Sequence, residues 1–192
     1  MRKTFTILIL ILILSLFILA VYFWLWLPKS GESKPLSARE INNPQNNMMQ
    51  LTSPLFSHNG TFPIIHTCDG GDTNPPLDIN GVPDKAMSLA LVLHDPDAPG
   101  GTFVHWVVWN IDPKTKRIED DSVPEGAVQG STTNKKNTYF GPCPPSGSHR
   151  YIFTLYALDA KIYLNSGATA EQLYAAMNGH ILEKTGLMAK YR

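Results

Sequence analysis

Three runs of apolar and β-branched residues, each cut off by clustered prolines and glycines, restrict this chain more than any other feature. The runs are Ser88–His94, Phe103–Asn110 and Arg150–Leu158. Each has strand length and is rich in Val, Ile, Phe, Tyr or Trp, the residues that pack well on a pleated surface. Between and before them stand Pro75-Pro76, Asp95-Pro96-Asp97-Ala98-Pro99-Gly100-Gly101 and Gly141-Pro142-Cys143-Pro144-Pro145-Ser146-Gly147. Proline offers no amide hydrogen and fixes φ, so these segments cannot continue a helix or a ladder and should form rigid connections at sheet ends. Fifteen prolines and fourteen glycines favour a mostly β fold over a helical bundle. The run Phe103–Asn110 is apolar at nearly every position, which predicts a central strand in a sheet covered on both faces.

The two ends of the chain read differently. Near the C-terminus, Thr169 followed by Gln172 makes a capping box, and Leu173, Met177, His180 and Ile181 then share a helical face, with Gly186 as the stop. At the start, Arg2 and Lys3 precede an uncharged run from Thr4 to Leu27. About 20 apolar residues suffice to cross a bilayer as a helix. Tyr22, Trp24 and Trp26 stand at its far end, where aromatic rings favour the interface. These features predict a transmembrane anchor over residues 1–28, a linker over 29–47 and a domain over 48–192 on the outer side of the membrane, periplasmic or extracellular. A cleaved signal peptide, which would leave the domain secreted, is the rival reading. It requires small residues at the cleavage site, whereas this chain carries Trp24-Leu25-Trp26-Leu27-Pro28 there.

Charge excludes one function class. Sixteen basic residues balance sixteen acidic ones, without a basic cluster, so no nucleic-acid partner is expected. The chemistry-bearing residues gather beside the proline segments. His94-Asp95-Pro96-Asp97 ends one strand, His105 lies inside the second, and His149-Arg150-Tyr151 opens the third. Each has a bland reading: Asp capping a turn, His hydrogen-bonded within a core. Together, imidazoles, a phenol and loop amides could hold a phosphate or carboxylate. His94, Asp95, Asp97, His105 and His149 lack the spacing of a metal site, and neither metal nor cofactor is expected. No G-x-S-x-G elbow occurs. A hydrolase would rest on a Cys143–His149 pair, which a disulfide would disable.

Asp95-Pro96-Asp97-Ala98-Pro99, followed by His105-Trp106 and Asn110-Ile111, resembles the signature of phosphatidylethanolamine-binding proteins, also called Raf kinase inhibitor-like proteins. Gly141-Pro142-Cys143-Pro144-Pro145, with Gly147 and His149-Arg150-Tyr151, resembles the family's second block. Ser53-Pro54, Thr67-Cys68-Asp69-Gly70, Asn74-Pro75-Pro76-Leu77 and Gly179-His180 extend the resemblance collinearly and point to the bacterial and archaeal YbhB/YbcL-like branch. The resemblance implies a large antiparallel sheet packed on a smaller one, with a C-terminal helix. It also implies a small pocket for an anion or phosphorylated headgroup, formed by Asp95, Pro99, His105, Gly141, Pro142, His149 and Tyr151. A binding protein rather than an enzyme is therefore expected. The alternative is an inhibitor of a protease or kinase-type protein partner, docked through the proline-rich rim. Cys68 and Cys143 are expected to lie close together, bridged or as two thiols.

Overall fold

The structure, a computed structural model, describes residues 48–192 together with residues 18, 19, 21–23 and 25. Two compact units divide the chain, Met1–Asn42 and Asn43–Arg192. In the first, the described residues are helical and exposed. Among the described residues no helix is long and apolar enough to cross a membrane, a task that takes about 20 consecutive residues. The expected transmembrane anchor, and with it the membrane-tethered outer location, is corrected on that ground. The remainder of that expected span and the expected linker, 29–47, lie outside the described residues.

The second unit is built on a sheet of six strands and a sheet of three. The large sheet runs β2(Gly60–Thr61), β9(Ile181–Tyr191), β8(His149–Leu158), β4(Ser88–Asp95), β5(Phe103–Ile111), β7(Val128–Gln129). All its pairs are antiparallel except β2 with β9. The small sheet is β1(Gln50–Thr52), β3(Leu77–Asn80), β6(Arg117–Ile118), also antiparallel. The three strands expected from the sequence form within a residue of their expected bounds.

Both faces of the large sheet are covered, as the unbroken apolar runs require. Successive side chains of a strand alternate between faces. Leu89, Leu91 and Leu93 of β4 accordingly join Phe153, Leu155 and the small sheet's Leu51, Leu77, Ile79 and Ile118 in one core. Ala90 and Val92 face the other way, into a second core completed by Leu173 and Met177 of the helix α1(Ala170–Met177).

Strand β5 switches face twice along its length. Leu93 and His94 pair with Trp106 and Val104, leaving His105 as an extra residue, and Leu89 and Ala90 pair with Ile111 and Trp109, leaving Asn110. Each is a β-bulge, which re-aims the side chains around it. Val104 thus belongs to the helix-side core while Trp106 belongs to the small-sheet core, and Trp109 and Ile111 are divided in the same way.

The helix forms with its capping box. The Thr169 hydroxyl accepts from the Gln172 N–H, and the Gln172 side chain accepts from the Thr169 N–H at 2.9 Å. It stops eight residues on, however, and Gly179 turns the chain at φ +84°. The expected continuation to Gly186 is instead strand β9, paired with β8 from Tyr191 to Ile181. Ladder formation along that whole edge outweighs the helical spacing of His180 and Ile181.

Candidate functional site

Four of the residues expected at the site come to one end and one face of the large sheet. Asp95 ends β4 in register with Leu89, Leu91 and Leu93, so its side chain follows theirs toward the small-sheet core. His149 and Tyr151 open β8 in step with Phe153 and Leu155. The bulge at His105 turns that ring to the same side, where it meets Tyr151 edge-on with centroids 5.3 Å apart. All four are buried: Asp95 3 %, His105 3 %, His149 7 % and Tyr151 0 % exposed.

A buried carboxylate must be satisfied or neutralised. Asp95 Oδ2 meets His149 Nδ1 at 2.7 Å, and Oδ1 accepts the backbone N–H of Asp97 at 2.8 Å. Asp97 in turn takes the Arg150 guanidinium in two hydrogen bonds of 2.8 and 2.6 Å and accepts the Arg150 backbone N–H at 2.9 Å. This clamp holds the Asp97 carboxyl far below the usual carboxylate range. It also fastens the proline turn after β4 to the start of β8, fixing Asp95 against His149.

The third wall is the loop before β8. The Phe140 carbonyl accepts from His105 Nδ1 at 2.7 Å, and the Phe140 ring stacks on the imidazole at 5.7 Å. The Gly141 N–H donates to Asp72 Oδ1 at 2.6 Å. Position 141 admits only glycine in this geometry. A Cβ there would stand 2.7 Å from the His66 carbonyl oxygen and 2.8 Å from Thr67 Cα. Cys68 and Cys143 are joined by a disulfide, with Cα atoms 5.4 Å apart. A free Cys143 thiol for a Cys143–His149 nucleophile is thereby absent.

Three polar atoms on this face keep open hydrogen-bonding capacity. With Nδ1 of His105 donating to Phe140 and Nδ1 of His149 turned to Asp95, neither Nε2 makes a hydrogen bond of ordinary geometry among the described residues, the Gly141 backbone lying near the His105 ring without one. The Tyr151 hydroxyl is buried without a partner; the Cys143 amide is near it but makes no hydrogen bond of ordinary geometry. Burial, then the Asp95 charge, pushes the Tyr151 phenol up, so it remains a donor at neutral pH. Burial holds the His105 ring below its ordinary 6.5, against the pull of the Phe140 carbonyl and of Asp95. Its Nε2 is an acceptor when the ring is neutral and a donor once it is protonated.

Of the seven expected residues, Asp95, His105, Gly141, His149 and Tyr151 gather here. Pro142 is buried beside Gly141, and its carbonyl accepts from the Cys68 N–H at 3.2 Å. Pro99 is exposed in the β4–β5 turn and takes no part in the cluster's hydrogen bonds. His94 is turned away: it occupies the opposite register of β4, and its Nδ1 is buried without a partner. Among the described residues no group of three His, Cys, Asp or Glu is placed to hold a metal ion. Sequence reasoning passed over Phe140, whose carbonyl sets the His105 tautomer, and Asp72, which holds Gly141. A signal for the second existed, since Gly70-Gly71-Asp72 places Asp72 at a left-handed turn, φ +55°.

A cleft of about 710 Å³ lies elsewhere, at the opposite end of β4 and β5, among Val82, Ala86, Met87, Asn110, Lys114 and Lys161. Its charged side chains are exposed, and Asn110 is fully engaged, accepting from the Ile162 N–H and donating to the Ile162 carbonyl, both at 2.8 Å. The Tyr151 hydroxyl, buried without a partner, and the uncommitted imidazole nitrogens beside it make the Asp95 end, rather than this cleft, the candidate site.

A sequence model of phosphatidylethanolamine-binding protein matches residues 52–192. The chain belongs to the phosphatidylethanolamine-binding protein family. Its relatives place it in the bacterial and archaeal branch. A UPF0098 protein of Methanothermobacter thermautotrophicus is 44% identical over 75% of this chain and 99% of its own. Among solved structures, a phosphatidylethanolamine-binding protein homologue from Chlamydia trachomatis shares 40% identity over 76% of this chain and 98% of its own, with a TM-score of 0.74. Escherichia coli YbcL shares 29% identity over 75% and 98%, with a TM-score of 0.71.

Proposed function

We propose that this domain is a binding module for a small anion, a phosphate, carboxylate or phosphorylated headgroup, held at the Asp95 end of the large sheet. The observation that carries this reading is the set of open polar atoms on one buried face: Nε2 of His105, Nε2 of His149 and the Tyr151 hydroxyl. The phenol donates directly. His149 is held in place by Asp95 through Nδ1, which leaves Nε2 on the same side for the ligand. A monoprotonated phosphate can give its own proton to His105 Nε2 while the other groups donate to its remaining oxygens.

Each hydrogen bond to a charged group contributes about 1.5–3 kcal/mol net, so three of them, less the cost of association, give modest affinity. Such a site suits a polar headgroup rather than acyl chains, its converging groups being a carboxylate, two imidazoles and a phenol. Titration with inorganic phosphate or phosphorylethanolamine, followed through the imidazole NMR signals, tests the reading. Saturable shifts of both His105 and His149 are expected; unmoved rings would refute it.

A further inference from the structure

The loop that closes the proposed pocket is held by few bonds, and the one covalent bond among them can be reduced. Between Phe140 and His149 the chain makes no strand pairing. Pro142, Pro144 and Pro145 have no amide hydrogen to give. The attachments that remain run to one neighbour, the turn at residues 64–72. The Gly141 N–H reaches Asp72, the Pro142 carbonyl receives the Cys68 N–H, and Cys143 is bonded to Cys68. The same turn carries Asp69, which accepts from the Tyr191 hydroxyl at 2.5 Å and pairs with Arg192. Tyr191 is the register partner of His149. The disulfide therefore ties the pocket loop to a turn that also holds, through Asp69, the end of β9 beside the pocket.

Access and location both favour a local effect. Cys143 is exposed and Cys68 half-buried, so a small dithiol can attack the bond. Neither cysteine belongs to a core cluster. The loop's root stays anchored without the bridge: buried Tyr139 donates to the His66 carbonyl at 2.7 Å, and the Phe140 N–H donates to the His105 carbonyl at 2.9 Å.

We infer that the Cys68–Cys143 disulfide is a redox latch on the anion pocket, closed when oxidised and loosened by a dithiol reductant. This inference rests on the anion reading proposed above. In the step, the dithiol supplies two electrons and two protons. The sulfur–sulfur bond breaks, Cys68 and Cys143 become thiols, and the reductant closes into its own disulfide. The Gly141–Cys143 wall then loses its fixed position beside His105 and Tyr151.

The test uses the full chain, oxidised and then reduced with dithiothreitol, in two measurements. Without ligand, amide exchange of Cys68 and Gly141 should quicken on reduction while β4 and β8 stay protected. With inorganic phosphate, affinity should fall about tenfold if the closed loop becomes a one-in-ten population, and reoxidation should restore it. The double variant Cys68→Ser, Cys143→Ser should match the reduced state and ignore dithiothreitol. Equal phosphate affinity in both redox states would overturn the latch and leave the anion reading standing. Reduction that unfolds the whole domain would also overturn it, since the effect would then not be local. An oxidised protein that fails to bind phosphate would overturn the anion reading and the latch's control of it together.

Discussion

The two ends of the large sheet are built on the same device and finished in opposite ways. At each end β5 carries a bulge, with His105 extra at one and Asn110 at the other. Asn110 adopts φ +57° and exchanges two hydrogen bonds with the Ile162 backbone, so its side chain is consumed in holding a loop. His105 gives one nitrogen to the Phe140 carbonyl and keeps the other open. The Asn110 end has a cleft of about 710 Å³ lined by exposed charges; the Asp95 end gathers buried polar side chains. The same kind of bulge can thus commit its side chain wholly to the fold or leave one of its atoms uncommitted. Trp109 Nε1 beside Asn110 is buried without a partner as well, but what distinguishes the Asp95 end is that an unpartnered Tyr151 hydroxyl and two imidazoles with an uncommitted Nε2 converge there on one face.

The comparison can be broken most sharply at the buried pair. His149→Ala removes one open nitrogen and strands Asp95, and phosphate affinity should fall about 10- to 100-fold, the equivalent of about 1.5–3 kcal/mol, by isothermal calorimetry. Unfolding in urea should show a loss of about 3 kcal/mol as well, because an uncompensated carboxylate is left buried. Asn110→Ala should separate the ends. Stability should drop by about 1–3 kcal/mol, since the Ile162 backbone loses both partners and alanine resists a left-handed φ, while phosphate affinity stays unchanged. A parallel loss of affinity would argue that the ends are not independent.

A smaller effect concerns pH. Burial lowers the pKa of both His105 and His94 from the ordinary 6.5. The unfolded chain therefore binds protons first as pH falls, and the stability these rings contribute above 6.5 is lost as pH drops through that value toward their lower folded values. Phosphate should oppose part of this loss, because an anion favours protonated His105. Its protective effect in thermal melts should grow on acidification, and that growth should be smaller in His105→Gln. The smallest effect is expected at the far cleft, where Lys114→Ala with Lys116→Ala should alter phosphate affinity less than about twofold, exposed charges being well screened.

Much of this architecture was legible in the residues. The strands β4, β5 and β8 follow from apolar runs bounded by proline, and the Thr169–Gln172 capping box located the helix start. The site's pieces were visible as His and Asp residues at the strand ends. The bulges were not, because a run such as Phe103–Asn110 is apolar on both faces and conceals a change of face. Strand β9 was missed because Leu173, Met177, His180 and Ile181 keep helical spacing; only pairing with β8 decides the matter. Phe140 acts through its carbonyl, which no side-chain pattern reveals. The apolar run at residues 4–27 suggested a membrane helix that no described helix bears out.

The central claim is that the Asp95 end, and not the cleft, takes the anion. A crystal of the protein soaked in phosphate and solved by diffraction tests it most directly. Phosphate is expected within hydrogen-bonding distance of His105 Nε2, His149 Nε2 and the Tyr151 hydroxyl. Phosphate bound instead among Lys114, Lys116 and Lys161, or an Asp95 end left with water alone at saturating phosphate, would contradict it.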